Sequence, residues 1–237
     1  FLIGLTFAIF YATLGLPIAM LADRTNRHNI IALATTIWSG MTVVCAFVGS
    51  YAQLAMARIG VGIGEAGSSP PSHSMISDLF PQAQRATAMG IFAIGINLGL
   101  LIAYLGGGWM SEHWGWRTTF IVVGLPGILI ALLVRFTLIE PPRGASEAAK
   151  QDRAEAPGLD EVWKTMLSTP ATRHVVFGSA LAGFVGYGMT LWLPAFFVRS
   201  HDLTQSETGL TLALMSGIVG GIGTFTAGRL ADHLAQR

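Results

Sequence analysis

The sequence predicts an all-α membrane protein built as a helical bundle, and three observations carry that prediction. Of its 237 residues 52% are hydrophobic and only 11% charged, too few polar side chains to coat a water-facing globule of this size. The charges gather in short clusters that separate apolar runs of about 20 residues, the length that crosses a bilayer as a helix. Glycine is frequent, with 29 residues, and in so apolar a chain it favours close helix packing.

Seven apolar runs follow one another along the chain. The first, Phe1 to Ala22, is expected to be a span rather than a signal peptide, because it carries no basic n-region and further spans follow. The second and third run from Ile30 to Ser50 and from Gln53 to Ser77. The fourth, Ala86 to Met110, carries a face of small residues at Gly90, Gly95, Gly99 and Gly106 to Gly108, suited to packing. Thr118 to Leu138, Val175 to Val198 and Gly209 to Ala227 complete the set. Inside lipid each must be a helix, because an open strand edge would leave backbone donors and acceptors unsatisfied. The longest connection, Ile139 to His174, has mixed charge and the breakers Pro141-Pro142 and Pro157-Gly158, so it reads as a linker between two bundles, 1–138 and 175–237. Its Asp160 to Met166 part is expected to form a surface helix.

The basic residues set the orientation. Arg24, Arg27, Arg85, Arg135, Arg143, Lys150, Arg153, Lys164, Arg173, Arg229 and Arg237 fall on one side, and only Arg117 and Arg199 on the other. The rich side is assigned to the cytoplasm, which puts residue 1 outside and the 139–174 linker inside. The missing initiator Met and the end at Arg237 inside a charged loop lead us to expect that both termini are cut.

Composition excludes several function classes. A formal charge of +1 gives no electrostatic footprint for nucleic acid, and a single cysteine, Cys45, allows neither a disulfide framework nor a cysteine-built metal site. No G-x-x-x-x-G-K loop is present, so an ion gradient rather than ATP is the expected energy source, and neither a cofactor nor a metal is expected. A retinal-type receptor needs a lysine within a span, whereas Lys150 and Lys164 both lie in the linker. Gly67-Ser68-Ser69 near His73 lacks a third partner for nucleophilic catalysis, so no catalytic residue is assigned and no enzyme is expected.

Arg58 and Glu65 are the only charges inside spans away from the water boundary, where ionisable residues are costly and by default mark a pathway. Spaced at i and i+7, they share one helix face about 10 Å apart along the axis, too far for direct pairing. An Arg can hold an anionic group and an enclosed carboxyl can exchange a proton, while a structural ion pair with neighbouring helices is the plainer alternative. Asp23 lies where a helix C-terminus disfavours a carboxylate, and Arg27 is expected to compensate it. Asp78, at the same end of the third span, is placed to bridge to Arg27 in one conformation and release it in another. The segment Leu21-Ala22-Asp23-Arg24 is echoed by Leu230-Ala231-Asp232 after the seventh span, so Asp23 and Asp232 read as equivalent corners of two parallel repeats. His73 suits either a proton relay or a histidine satisfied by a carbonyl. Asn97 suits interhelical hydrogen bonding, and Tyr187 and Trp192 suit either a cavity wall or interfacial anchors.

The stretch Ala19-Met20-Leu21-Ala22-Asp23-Arg24-Thr25-Asn26-Arg27-His28 resembles the G-x-L-a-D-r-x-G-r-k loop between the second and third helices of the major facilitator superfamily, with Ala19, Asn26 and His28 as departures. Arg58 to Gly67 and Pro70 to Pro81, together with Gly115-Trp116-Arg117 and Trp192 to Phe197, look like its bacterial spinster-like branch. The resemblance implies family helices two to eight of an expected twelve, arranged in two pseudo-symmetric halves in a bacterial inner membrane. It also implies a monomeric, proton-coupled transporter working by alternating access. Its substrate would be an amphipathic anion, such as a lysophospholipid or sphingosine phosphate, with another small organic anion as the alternative. Arg58, Glu65, Tyr187 and Trp192 would then bind substrate, Glu65 and His73 would couple protons, and Asp23, Arg24, Arg27, Asp78 and Asp232 would form the gate.

Overall fold

The apolar runs do become helices, and the breaks between them have local causes. The computed structural model describes residues 5–144 and 159–235, and all regular structure among these is helical. The helices are α1 (Leu5–Arg24), α2 (Arg27–Val44, continued by a 3-10 turn at Cys45–Phe47), α3 (Tyr51–Ala66), α4 (Ser69–Leu79), α5 (Gln82–His113), α6 (Gly115–Thr137), α7 (Leu159–Ser168), α8 (Pro170–Ser200), α9 (Gln205–Leu212) and α10 (Gly220–Ala235). A π-helical segment, Ala213–Val219, joins α9 to α10. Among the described residues, the five stretches long and apolar enough to cross a bilayer are Arg27–Phe47, Gln82–His113, Gly115–Thr137, Pro170–Ser200 and Gln205–Leu230, and Ile9–Ala22 is a shorter apolar stretch within α1.

The third expected span is corrected by the structure, because it is two helices rather than one. Pro70 and Pro71 have no N–H, so the carbonyls of Ala66 and Gly67 lose their helical donors. The Gly67 and Ser68 N–H groups turn back to the carbonyls of Gly64 and Glu65, at 3.1 and 3.2 Å, and close α3 there. The Pro70-Pro71 pair then sits in the first turn of α4, where missing donors cost nothing.

The helices belong to two compact units, one holding α1 to α6 with α9 and α10, the other α7 and α8. In the first, α2 is wedged between α3 and α6. A Cβ on Gly64 would lie 2.5 Å from the Trp38 backbone nitrogen and 2.9 Å from the Ala34 carbonyl oxygen, so only glycine lets α3 approach this closely. Gly124 of α6 meets the Ser39 carbonyl from the opposite side in the same way, at 2.9 Å. A small apolar core of Cys45, Val48 and Ala57 closes one end, and the Arg117 guanidinium braces it by donating to the Val48 carbonyl at 3.1 Å.

We expect Gly64→Ala to lower stability by about 3 kcal/mol, the upper range for overpacking, because backbone rather than a flexible side chain must give way. Gly95→Ala in α5, where a Cβ meets open space, should be neutral or slightly stabilising. Thermal unfolding of both variants in detergent checks the contrast.

A second line of contact runs along α5, which packs on α9, the π-helical segment and α10. Asn97 donates to the Thr224 hydroxyl at 3.2 Å, as its placement in an apolar span suggested. At the far end of α5 the Glu112 carboxylate accepts from the Ser206 N–H at 3.2 Å, in the first turn of α9. In the second unit Thr169 caps α8 through a reciprocal bond pair with Thr172. None of the α8 residues is buried, and Phe184 and Trp192 are 81% and 70% exposed, a surface suited to lipid rather than water.

Candidate functional site

The most developed polar constellation gathers where α1 ends, α2 begins, α4 ends and the chain leaves α6. Arg27, the first residue of α2, is 1% exposed and spends its guanidinium on four acceptors. Its Nε donates to Glu140 Oε1 at 2.6 Å, and one terminal nitrogen donates to Asp78 Oδ2 at 2.5 Å and Ser74 Oγ at 2.8 Å. The other reaches the Pro141 carbonyl at 3.0 Å. Glu140 does a second job. Asn26 precedes α2 without a side-chain cap, and Glu140 Oε2 accepts the His28 N–H at 3.1 Å, putting a carboxylate on the positive end of the helix.

The same strap is fastened at two further points. Arg143 donates to the carbonyls of Ala22 and Thr25, both at 2.7 Å, satisfying acceptors that the end of α1 leaves open. The Gly144 N–H donates to Asp78 Oδ1 at 2.9 Å. Residues 140–144, read from the sequence as the start of the linker, bind three helix ends. Glu140 is half-buried, and burial acts to raise its carboxyl pKa, but the hydrogen bonds from Arg27 and His28 and the Arg27 charge outweigh it and hold the group below the ordinary carboxylate value.

The expected contact of Arg27 with Asp23 falls on a side chain outside the described residues. Among the described residues the Arg27 guanidinium meets Asp78, Ser74, Glu140 and Pro141, because α4 and the post-α6 strap converge on the first turn of α2. The side chains of Asp23 and Asp232 lie outside the described residues. Arg24, in the last turn of α1, is exposed and belongs to none of the ion pairs among the described residues. The sequence reading missed Glu140, Ser74, His28 and Arg143. A charge pair framing Pro141-Pro142 directly after a span was the available signal, and it was read only as a breaker.

Arg58 and Glu65 both lie on α3, half-buried, and interact electrostatically across two turns. Glu65 is the penultimate residue of α3, beside the proline-induced break, where the helix dipole disfavours a carboxylate. His73 is exposed on α4 with its ring edge-on to Phe92 of α5, the centroids 5.4 Å apart. Tyr187 and Trp192 belong to the other unit. Both are exposed there, and at five residues apart they point to different sides of α8.

A sequence profile described as Major Facilitator Superfamily matches residues 1–237. An MFS-type efflux pump of Mycolicibacterium smegmatis is 34% identical over 238 residues, 99% of this chain and 53% of that protein. Protein spinster homolog 1 of Xenopus laevis is 32% identical over 240 residues, 95% of this chain and 44% of the relative. The crystal structure of a bacterial homologue of the human lysosomal transporter Spinster, inward-facing and unoccupied, superposes with a TM-score of 0.76 at 37% identity, covering 98% of this chain and 54% of the other. The chain thus spans about half the length of the proteins it matches. Its all-helical architecture, its apolar spans and the full-length profile match agree, and the chain belongs to the Major Facilitator Superfamily of multi-pass membrane proteins, with its likeness there to spinster-type members.

Proposed function

We propose that the protein is a secondary active transporter working by alternating access, driven by protons and moving an amphipathic anion such as a lysophospholipid or sphingosine phosphate. The observation that carries this reading is the Arg58 and Glu65 pair on one α3 helix among otherwise apolar spans. Arg58 holds the anionic head group through its planar fork, and Glu65 takes up and releases the proton. His73 is a second, weaker candidate for proton transfer. The likeness to spinster-type proteins supports the lipid-like substrate, and a small organic anion is the alternative. No catalytic step is assigned, and the protein works as a monomer in the bacterial inner membrane.

The Arg27 cluster is the cytoplasmic gate, together with Asp23, Arg24 and Asp232, on the side that the basic residues assign to the cytoplasm with residue 1 outside. Residues 1–138 belong to the N-terminal bundle and 175–237 to the start of the second, two halves that rock about a midplane site.

Arg58→Lys keeps the charge but loses the fork, and should bind a lysophospholipid more weakly while retaining some transport. Arg58→Ala should lose at least about 2 kcal/mol, roughly thirtyfold in affinity, as a desolvated charge pair is broken. Calorimetry on monodisperse protein with a lysophospholipid, its uncharged monoacylglycerol analogue and a short organic acid separates the readings. Unchanged affinity in a folded Arg58→Ala protein rejects the assignment, and binding of the organic acid alone transfers it to the alternative.

A further inference from the structure

Beside the end of α2 remote from Arg27 the surface of the first unit is indented. Met41 and Val44 of α2, Phe47 and Val48 after it, and Gln53 and Met56 of α3 line a cleft of about 410 Å³. By helical register Met56 lies about 180° from Glu65, so the cleft opens away from the face that carries the proposed transport pair. Phe47 and Met56 stand at its lip, 74% and 71% exposed, and Met41 lies about 10 Å deeper along α2. Two polar groups stand at its mouth. The Gly49 N–H can only donate, so the Gln53 atom it meets at 2.8 Å is the side-chain oxygen, and the Gln53 amide nitrogen keeps its hydrogens without a partner among the described residues. Arg117, at the start of α6, donates one terminal nitrogen to the Val48 carbonyl at 3.1 Å and lays its guanidinium over Trp116, 4.1 Å from the ring centroid. It is exposed, and among the described residues it belongs to no ion pair and makes no other hydrogen bond.

We infer that this cleft binds one anionic phospholipid of the adjacent leaflet, with its phosphate on Arg117, its glycerol ester at Gln53 and an acyl chain laid against Phe47, Val44, Met56 and Met41. The argument is order in depth. Guanidinium, amide and apolar cleft follow one another from the water boundary inward, as phosphate, ester and chain do in a phospholipid. Val48 joins them, since its carbonyl holds Arg117 while the residue lines the cleft. Charge selects the class of lipid. A guanidinium offers parallel N–H groups to phosphate oxygens, and stacking on an indole leaves those edges free. A head group with no cation of its own, such as phosphatidylglycerol, is favoured over a zwitterionic one whose ammonium Arg117 repels. Trp116 marks the level, because tryptophan collects where acyl chains meet head groups. Two methionines give the wall of the cleft a shape that adapts to a flexible chain. The bound lipid bridges the start of α6 to α3 around the end of α2, and its site is separate from the proposed transport pathway.

The test uses the protein in phosphatidylcholine vesicles doped with a phosphatidylglycerol that carries a photoreactive diazirine midway along one acyl chain, the attachment sites being mapped by peptide mass spectrometry. Peptides covering 41–57 should take up several-fold more label than the exposed surface of α8, and excess unlabelled phosphatidylglycerol should remove that difference. A diacylglycerol probe with the same chains and no phosphate should label 41–57 several-fold less. Arg117→Gln should bring the labelling of 41–57 down to that of α8. Met56→Trp should do the same, by filling the cleft from an exposed position while leaving the Arg117 contact with Val48 in place. Equal labelling of 41–57 and α8 in the parent overturns the inference, since exchanging bulk lipid would then cover the face. Equal labelling by the diacylglycerol overturns the phosphate contact, and preferential labelling that persists in folded Met56→Trp overturns the cleft. No label on 41–57 overturns the site as well, because protein, including a second copy of the chain, would then occupy it. Met56→Trp decides the question even where Arg117→Gln unfolds.

Discussion

Replacing Arg27 by Met will destabilise the protein by about 3 kcal/mol, the lower part of the range for breaking a buried ion pair, because Asp78 and Glu140 retain 13% and 22% exposure and can partly rehydrate. Two carboxylates would then face each other without their common cation, and the first turn of α2 would lose the strap that holds its cap in place. Under the gate reading the same change opens the end of the bundle that carries Arg27, so spin-label distances between the α2 and α10 ends should lengthen. Thermal unfolding in detergent reads the first effect and the distances read the second. A stability loss with unchanged distances would make the cluster a structural brace only.

Acidity supplies a control on that result. The Glu140 pKa is depressed in the folded protein, so its contribution is fully present above the ordinary carboxylate value of about 4.3 and is lost only as pH falls through the lower folded value. The stability difference between the parent and Glu140→Gln should therefore stay constant from pH 8 to about 5 and narrow below about 4. The Glu140 carboxylate is thus charged at neutral pH.

Under the proposed function Glu65 is the coupling residue, and Glu65→Gln is expected to reduce pH-driven uptake to background while leaving substrate binding at low pH largely intact. The amide has the shape of the protonated acid and never releases a proton, so the variant is held in one protonation state. Uptake into vesicles under an imposed pH difference, compared with equilibrium binding at low pH, separates coupling from recognition. Full pH-driven uptake by the variant would reject Glu65 as the coupling residue. Loss of binding as well would move Glu65 from proton transfer to substrate recognition.

The sequence by itself determined the helical membrane architecture, for the reason that lipid permits no other hydrogen-bonded solution for an apolar run of about 20 residues. The membrane spans of α2, α5, α6 and α8 follow directly from run length, and the Asp23 to Arg27 loop carries the family resemblance that the profile match bears out. The pairing of Arg27 with Asp78 was also legible, since both residues end spans at the same side. Tertiary structure alone decided the rest. Hydropathy is blind to a Pro70-Pro71 pair within an apolar run, yet two missing donors split the third span and set Glu65 beside the break. That Arg27 also meets Glu140 was undecidable from spacing along the chain, because Glu140 is 113 residues away and reaches it only once α6 has packed on α2. Of the glycine face on the fourth span that was expected to pack, Gly90 and Gly108 approach neighbouring backbone while Gly95, Gly99 and Gly107 meet open space. The backbone approach at Gly64 and at Gly124 puts α2 in the wedge, and α2 in turn presents Arg27 to the two carboxylates.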